Sequence, residues 1–209
     1  MKELKRNQIS ELRKTVPMLD SKELSSIIGG DMYYFDENGR LSDDVVKSEE
    51  NVIYIGDKCM SLSGTLDGLE SIPVDSSGIL FSGAGVSSQL FEFLAENTNV
   101  EWAYGYNSTM DGGMMGSSHR QHSVDLSNGN WGSYDNFVHN HANDGSVLPA
   151  SELEEYNSLP SEADIENLKK SGRESAQIYN ETTGSFVTYT IYSTTQEEWL
   201  RKHNYEFSN

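Results

Sequence analysis

Two histidines one residue apart, His139 and His141, follow the apolar pair Phe137-Val138. In an extended chain, residues i and i+2 project to the same face. A strand is expected over 133–140, and extended backbone carried on through His141 presents both imidazoles on one side. Such a pair grips one Zn²⁺ when a third ligand arrives from elsewhere. The string Pro160-Ser161-Glu162-Ala163-Asp164 offers a carboxylate in the first turn of a helix. Glu101 offers another, on a strand expected over 100–106. Each piece also has an ordinary reading. Isolated histidine pairs are common on surfaces, and Ser161 with Asp164 spells a plain capping box.

The rest of the chain sets the frame. Helices are expected over 89–97, 151–156, 161–171 and 197–203, with Ser87 or Ser88 capping the first. Strands are expected over 32–35 and 51–55. These two read as a hairpin or a small sheet edge around the Asn38-Gly39 turn. The stretch 184–192 is rich in β-branched and aromatic residues and is a further strand. Residues 57–78 and 107–120 read as connections. Helix and strand alternate, so the expected class is α/β or α+β.

The chain has 209 residues and a net charge of −18. Residues 1–30 hold six basic and four acidic side chains, so residues 31–209 carry −20. A body this acidic repels phosphate backbones, which argues against nucleic acid as a partner and against a nuclease reading of His139-Asn140-His141. No apolar run is long enough to span a membrane. Cys59 is the sole cysteine, so no internal disulfide frames the fold.

Ahead of the body, Ile9, Leu12, Val16, Leu19, Leu24 and Ile28 recur at helical spacing, interrupted at Pro17. The helical signal stops at Gly29-Gly30. The stretch 19–30, Leu-Asp-Ser-Lys-Glu-Leu-Ser-Ser-Ile-Ile-Gly-Gly, resembles the double-glycine leader of bacteriocins and peptide pheromones, whose pattern is Leu-Ser-x-x-Glu-Leu-x-x-Ile-x-Gly-Gly, with Asp20 in place of the serine. That resemblance implies cleavage after Gly30 by the peptidase of an export transporter, and hence secretion. The other reading is an N-terminal helix with a glycine C-cap.

The order Glu101, then His139-Asn140-His141, then Ser161-x-x-Asp164 resembles the signature of JAMM (MPN+/JAB) zinc metallopeptidases. Pro160-Ser161-x-x-Asp164 and His139-Asn140-His141 are also similar to the RadC-type branch. The stretch from Phe91 through Val100-Glu101-Trp102 looks like the JAB-like toxin domains of bacterial polymorphic toxins. The resemblance covers roughly residues 75–195. It implies a curved mixed sheet flanked by helices, in a metallopeptidase domain over 75–209 preceded by a leader (1–30) and a β-hairpin segment (31–74). By position, His139, His141 and Asp164 would bind zinc, Glu101 would be the general base, and Ser161 would hold the oxyanion. The implied reaction is hydrolysis of a peptide or isopeptide bond by a zinc-activated water, in an exported toxin or effector. A protein or peptide substrate and an immunity protein are the implied partners. A catalytically inactive JAB-like protein-binding module is the alternative.

The chain departs from the family pattern at Ala142, where the family has proline. The interval from His141 to Ser161 is also longer than usual and holds its own Ser151-x-x-Glu154, so Glu154 competes with Asp164 as the third ligand. His119 and His122 form a second histidine pair within a Gly-rich stretch. Met110, Met114 and Met115 beside them suit a flap over the cleft or plain loop anchors.

Overall fold

The structure is a computed structural model that describes residues 30–42, 46–48, 50–69, 78–109, 112–121, 124, 131–142, 148–203 and 205. The leader-like residues 1–29 and His122 lie outside the described residues, as does Met110. Two sheets carry the fold. A four-stranded sheet has the order β2-β1-β3-β4, built from β1 (Gly30–Phe35), β2 (Val46–Ser48), β3 (Asn51–Ile55) and β4 (Lys58–Leu62). A six-stranded sheet has the order β10-β9-β8-β6-β7-β5. Its strands are β5 (Ile79–Gly83), β6 (Ala103–Tyr106), β7 (Gly113–Ser117), β8 (Asn136–Asn140), β9 (Ser175–Asn180) and β10 (Ser185–Thr190). Among the described residues the α-helices are α1 (Ser88–Asn97), α2 (Ala150–Asn157), α3 (Glu162–Ser171) and α4 (Gln196–Lys202). The architecture is α+β, consistent with a JAB-like fold.

The expected hairpin of 32–35 with 51–55 does not form. β1 and β3 lie side by side but parallel, and β3 turns back instead into β4. The Asn38-Gly39 turn does form, with Gly39 N donating to Asp36 O at 3.0 Å, and it brings Leu41 beside Phe35. The chain then passes to β2 on the outer edge of β1 before crossing to β3. The antiparallel partner of β3 lies in 57–78, where a connection was expected. The turn itself is a packing point. Gly39 has φ +69°, and an added Cβ would meet Val100 at 2.9 Å and Trp102 at 3.0 Å. Only glycine tolerates both the left-handed backbone and that approach.

The six-stranded sheet has two different faces. On one, Phe81, Tyr104, Met115, Val138 and Tyr179 share a core with α1 and with Tyr33, Phe35, Ile53 and Ile55 of the small sheet. On the other, Ala103, Met114, Phe137, Ile178 and Tyr189 pack against Ile165 and Leu168 of α3. Helix α1 starts where Ser87 Oγ accepts from Leu90 N at 3.2 Å, and it buries Leu90, Phe91, Leu94 and Ala95. Thr98 ends it by donating to Leu94 O and accepting from the Trp102 indole, both at 2.8 Å. That tie sets where the next strand begins.

Residues 107–120, expected as a loop, contain the buried strand β7. Met114 and Met115 point to opposite faces of the sheet and belong to its two cores, so they form no flap. Gly113 lets the strands close up: a Cβ there would stand 2.6 Å from Gly105 O and 2.7 Å from the Tyr104 ring.

Candidate metal centre

Strand β8 lies between β6, antiparallel, and β9, parallel. Its alternation sends Val138 and Asn140 to the α1 side and His139 to the α3 side. His141 follows at the strand end and turns toward the same point as His139. The imidazoles meet at Nε2, with 3.1 Å between them. Asp164 Oδ2 lies 3.3 Å from His139 Nε2 and 3.4 Å from His141 Nε2. Among the described residues these three form the one cluster of potential ligands.

Asp164 is held by its helix. Ser161 is the N-cap of α3, and its Oγ accepts from Asp164 N at 3.2 Å. Asp164 Oδ2 in return accepts from Ser161 N and Ser161 Oγ, both at 2.8 Å. The capping box and the metal-ligand reading are therefore not exclusive, because one carboxylate serves both. Glu154, the competing ligand, is exposed on α2 and stands outside the cluster.

Glu101 sits two residues before β6 and is only 8% exposed. Its backbone N donates to Arg120 O at 2.9 Å. Asn140 fixes the chain on both sides of it. The buried Asn140 side chain accepts from Trp102 N at 2.7 Å and donates to Val100 O at 3.4 Å. Asn140 Nδ2 also donates to Glu181 Oε1 at 2.6 Å. The residue between the two histidines thus braces Glu101 from the far face of the sheet.

The electrostatics separate the groups. Burial pushes the Glu101 carboxyl up to about 8, with Asp164 and Glu181 adding and His139 opposing. Burial also disfavours the Asp164 carboxylate, but His139 and His141 outweigh it and hold the group well below the usual carboxylate range. For His139, burial opposes the charge and Asp164 and Glu101 overcome it, so its pKa is raised. For His141, burial prevails with help from the His139 charge, and its pKa is lowered. One buried carboxyl whose pKa is raised to about 8 thus stands near another held ionised, a contrast that can supply a proton carrier and an anionic ligand.

The donor set fits a zinc ion. Two imidazole nitrogens and one carboxylate oxygen leave a fourth position open. Tetrahedral bonds of roughly 2.0–2.1 Å require ligand atoms about 3.3–3.4 Å apart; the two histidine–carboxylate separations, 3.3 and 3.4 Å, match that spacing, and the 3.1 Å between the imidazole nitrogens is slightly shorter.

His119 and Cys59 are not among the three clustered ligands. His119 follows β7 with φ +54°. Cys59 is exposed on β4 in the small sheet. Two neighbours of the site carry no sequence signal. Glu181 comes from the β9–β10 turn, and Gln196 Nε2 of α4 lies 2.9 Å from His141 Nδ1. Both are brought in by tertiary packing from far along the chain.

No curated protein and no solved structure matches the chain significantly. The family model described as JAB-like toxin 1 matches residues 82–169, a span that contains Glu101, His139, His141, Ser161 and Asp164. That match, with the α+β fold around it, supports a JAB-like toxin domain over residues 82–169.

Proposed function

We propose that the protein is a zinc-dependent peptidase or isopeptidase, exported as a bacterial toxin or effector. The observation that carries this reading is the meeting of His139, His141 and Asp164 at 3.1–3.4 Å, with a buried carboxyl, Glu101, close enough to feel the charges of His139 and Asp164. A bound Zn²⁺ supplies Lewis-acid chemistry, polarising a carbonyl and acidifying a coordinated water. His139, His141 and Asp164 hold the ion. Glu101 is the general base: it takes a proton from the attacking water and returns it to the leaving nitrogen. The amide C–N bond breaks, and an acid and an amine leave. A carboxyl shifted toward neutrality suits both halves of that transfer. Ser161 orients Asp164; to donate to the oxyanion its hydroxyl proton must leave Asp164 Oδ2.

Export by the double-glycine leader is part of the proposal. Gly30 is the first residue of β1, so a cut after it leaves the pairing of β1 with β3 from Met32 onward in place. The substrate is a protein or peptide, and a producing cell would need an immunity partner.

Two measurements test this together. Protein purified without added metal should contain about one zinc per chain, as a single three-ligand site requires. A proteome-wide cleavage profile should show new termini with wild type and none with Glu101→Gln. Zinc-free wild type, or identical profiles for both proteins, refutes the enzyme; zinc without cleavage points to the binding-module alternative.

A further inference from the structure

Helix α4 begins well beyond the family-matched residues, yet its first residue reaches the metal centre. Thr195 caps the helix, with its Oγ1 accepting from Glu198 N at 3.2 Å. Gln196 N donates to Pro160 O at 2.9 Å, and Glu162 N donates to Glu197 Oε2 at 3.0 Å. The starts of α3 and α4 are thus stitched together, and the backbone of Gln196 is fixed beside the residues that carry Asp164. From there Gln196 Nε2 donates to Tyr156 O at 3.2 Å and lies 2.9 Å from His141 Nδ1. His139 has no such support: its Nδ1 is buried without a hydrogen-bond partner among the described residues.

An imidazole that gives Nε2 to a cation carries its proton on Nδ1, and that N–H needs an acceptor. Gln196 is the group in place. In the orientation seen, its Nε2 faces Nδ1, which suits the tautomer with the proton on Nε2. A half-turn of the amide presents Oε1 to Nδ1–H instead and withdraws the donor from Tyr156 O. A primary amide has both a donor and an acceptor on one rotor, so it serves either tautomer.

On the zinc reading above, we infer that Gln196 is the positioning residue of His141: it holds the ring and accepts from Nδ1–H when the metal is bound. Its role is to strengthen metal binding from outside the ligand shell.

The test compares zinc affinity, by competition with a chromophoric chelator, in the full chain and in Gln196→Leu, Gln196→Ala and Gln196→Glu. All three lose the donor to Tyr156 O, so all three zinc-free forms should melt a few degrees lower. Leu and Ala also lose the acceptor, and their zinc affinity should fall about 10–100-fold, the usual cost of removing such a partner. A carboxylate accepts from Nδ1–H without turning, so Gln196→Glu should bind zinc at least as tightly as wild type. If Gln196→Leu or Gln196→Ala binds as wild type does, Gln196 has no such role. If Gln196→Glu weakens in step with them, the residue only supports the helix. Should Gln196→Leu not fold, the Ala and Glu variants give the same comparison. A wild type that takes no zinc overturns the metal reading itself, before any variant is compared.

Discussion

Replacing Glu101 by glutamine should separate three properties of the site. The carboxyl is buried, and its pKa is raised from 4.5 to about 8. In the unfolded chain it loses its proton near pH 4.5; in the folded protein it keeps that proton until near pH 8. Between those values the folded state binds one more proton than the unfolded state, so stability falls as pH rises. The window closes above about pH 8, where both states are ionised. A shift of this size corresponds to an upper bound of about 5 kcal/mol at roughly 1.36 kcal/mol per unit. The realistic loss is on the order of 3–5 kcal/mol, a large part of the 5–15 kcal/mol typical of a domain. Glutamine keeps the shape, resembles the protonated acid and has no such dependence. With chelator present, urea melts of wild type and Glu101→Gln should agree near pH 5 and diverge toward pH 8, the variant being the more stable. Zinc content after reloading should match wild type, because Glu101 stands outside the cluster of His139, His141 and Asp164. Amide hydrolysis should drop by about 10²–10⁴. Parallel stability curves for the two proteins across pH 5–8 would refute the buried-carboxyl argument. Full activity in the variant would remove Glu101 as the base.

The remaining predictions address the ligands and the frame. His139→Ala should lose zinc by elemental analysis; retention at wild-type occupancy would place the metal elsewhere. Asp164→Asn should weaken zinc, while Glu154→Gln and Ser151→Ala, both at exposed positions on α2, should be silent in the same titration. The reverse pattern would make the shorter-spaced motif the ligand. Asn140→Leu removes the partners of Trp102 N and Val100 O inside the core and should cost about 2–4 kcal/mol in a urea melt; a cost near zero would mean that the strands hold Glu101 without it. A chain starting at Asp31 should melt within a few degrees of the full one, and a collapse would show that residues 1–30 belong to the fold.

Much of this protein follows from short-range rules that act on the chain wherever it folds. Strand alternation alone puts His139 and Val138 on opposite faces. The Ser161–Asp164 box forms because a serine hydroxyl and a carboxylate three residues on satisfy each other and the first free N–H groups of a helix. Helix α1 follows from its cap and its apolar stripe, Leu90, Phe91 and Leu94. Those elements were legible with no knowledge of their neighbours. Strands β5, β7 and β9 were not. Gly113-Met114-Met115-Gly116-Ser117 has a loop's composition, and it is a strand because β5 and β6 take both of its edges and its glycines let them close. The parallel pairing of β1 with β3 was hidden because the sequence shows strands and turns but not which edge a strand joins. Around the candidate metal centre, the pattern of residue types suggested Asp164 as third ligand, whereas its Oδ2 reaches both imidazoles only because α3 docks on that face of the sheet through Ile165 and Leu168. Asn140, Glu181 and Gln196 left no local trace, since hydrogen bonds across 40 and more residues depend on where distant elements come to rest. The sequence by itself determined the side chains and the faces they occupy; the tertiary structure decided which of them meet, because long-range contact is set by packing and not by spacing.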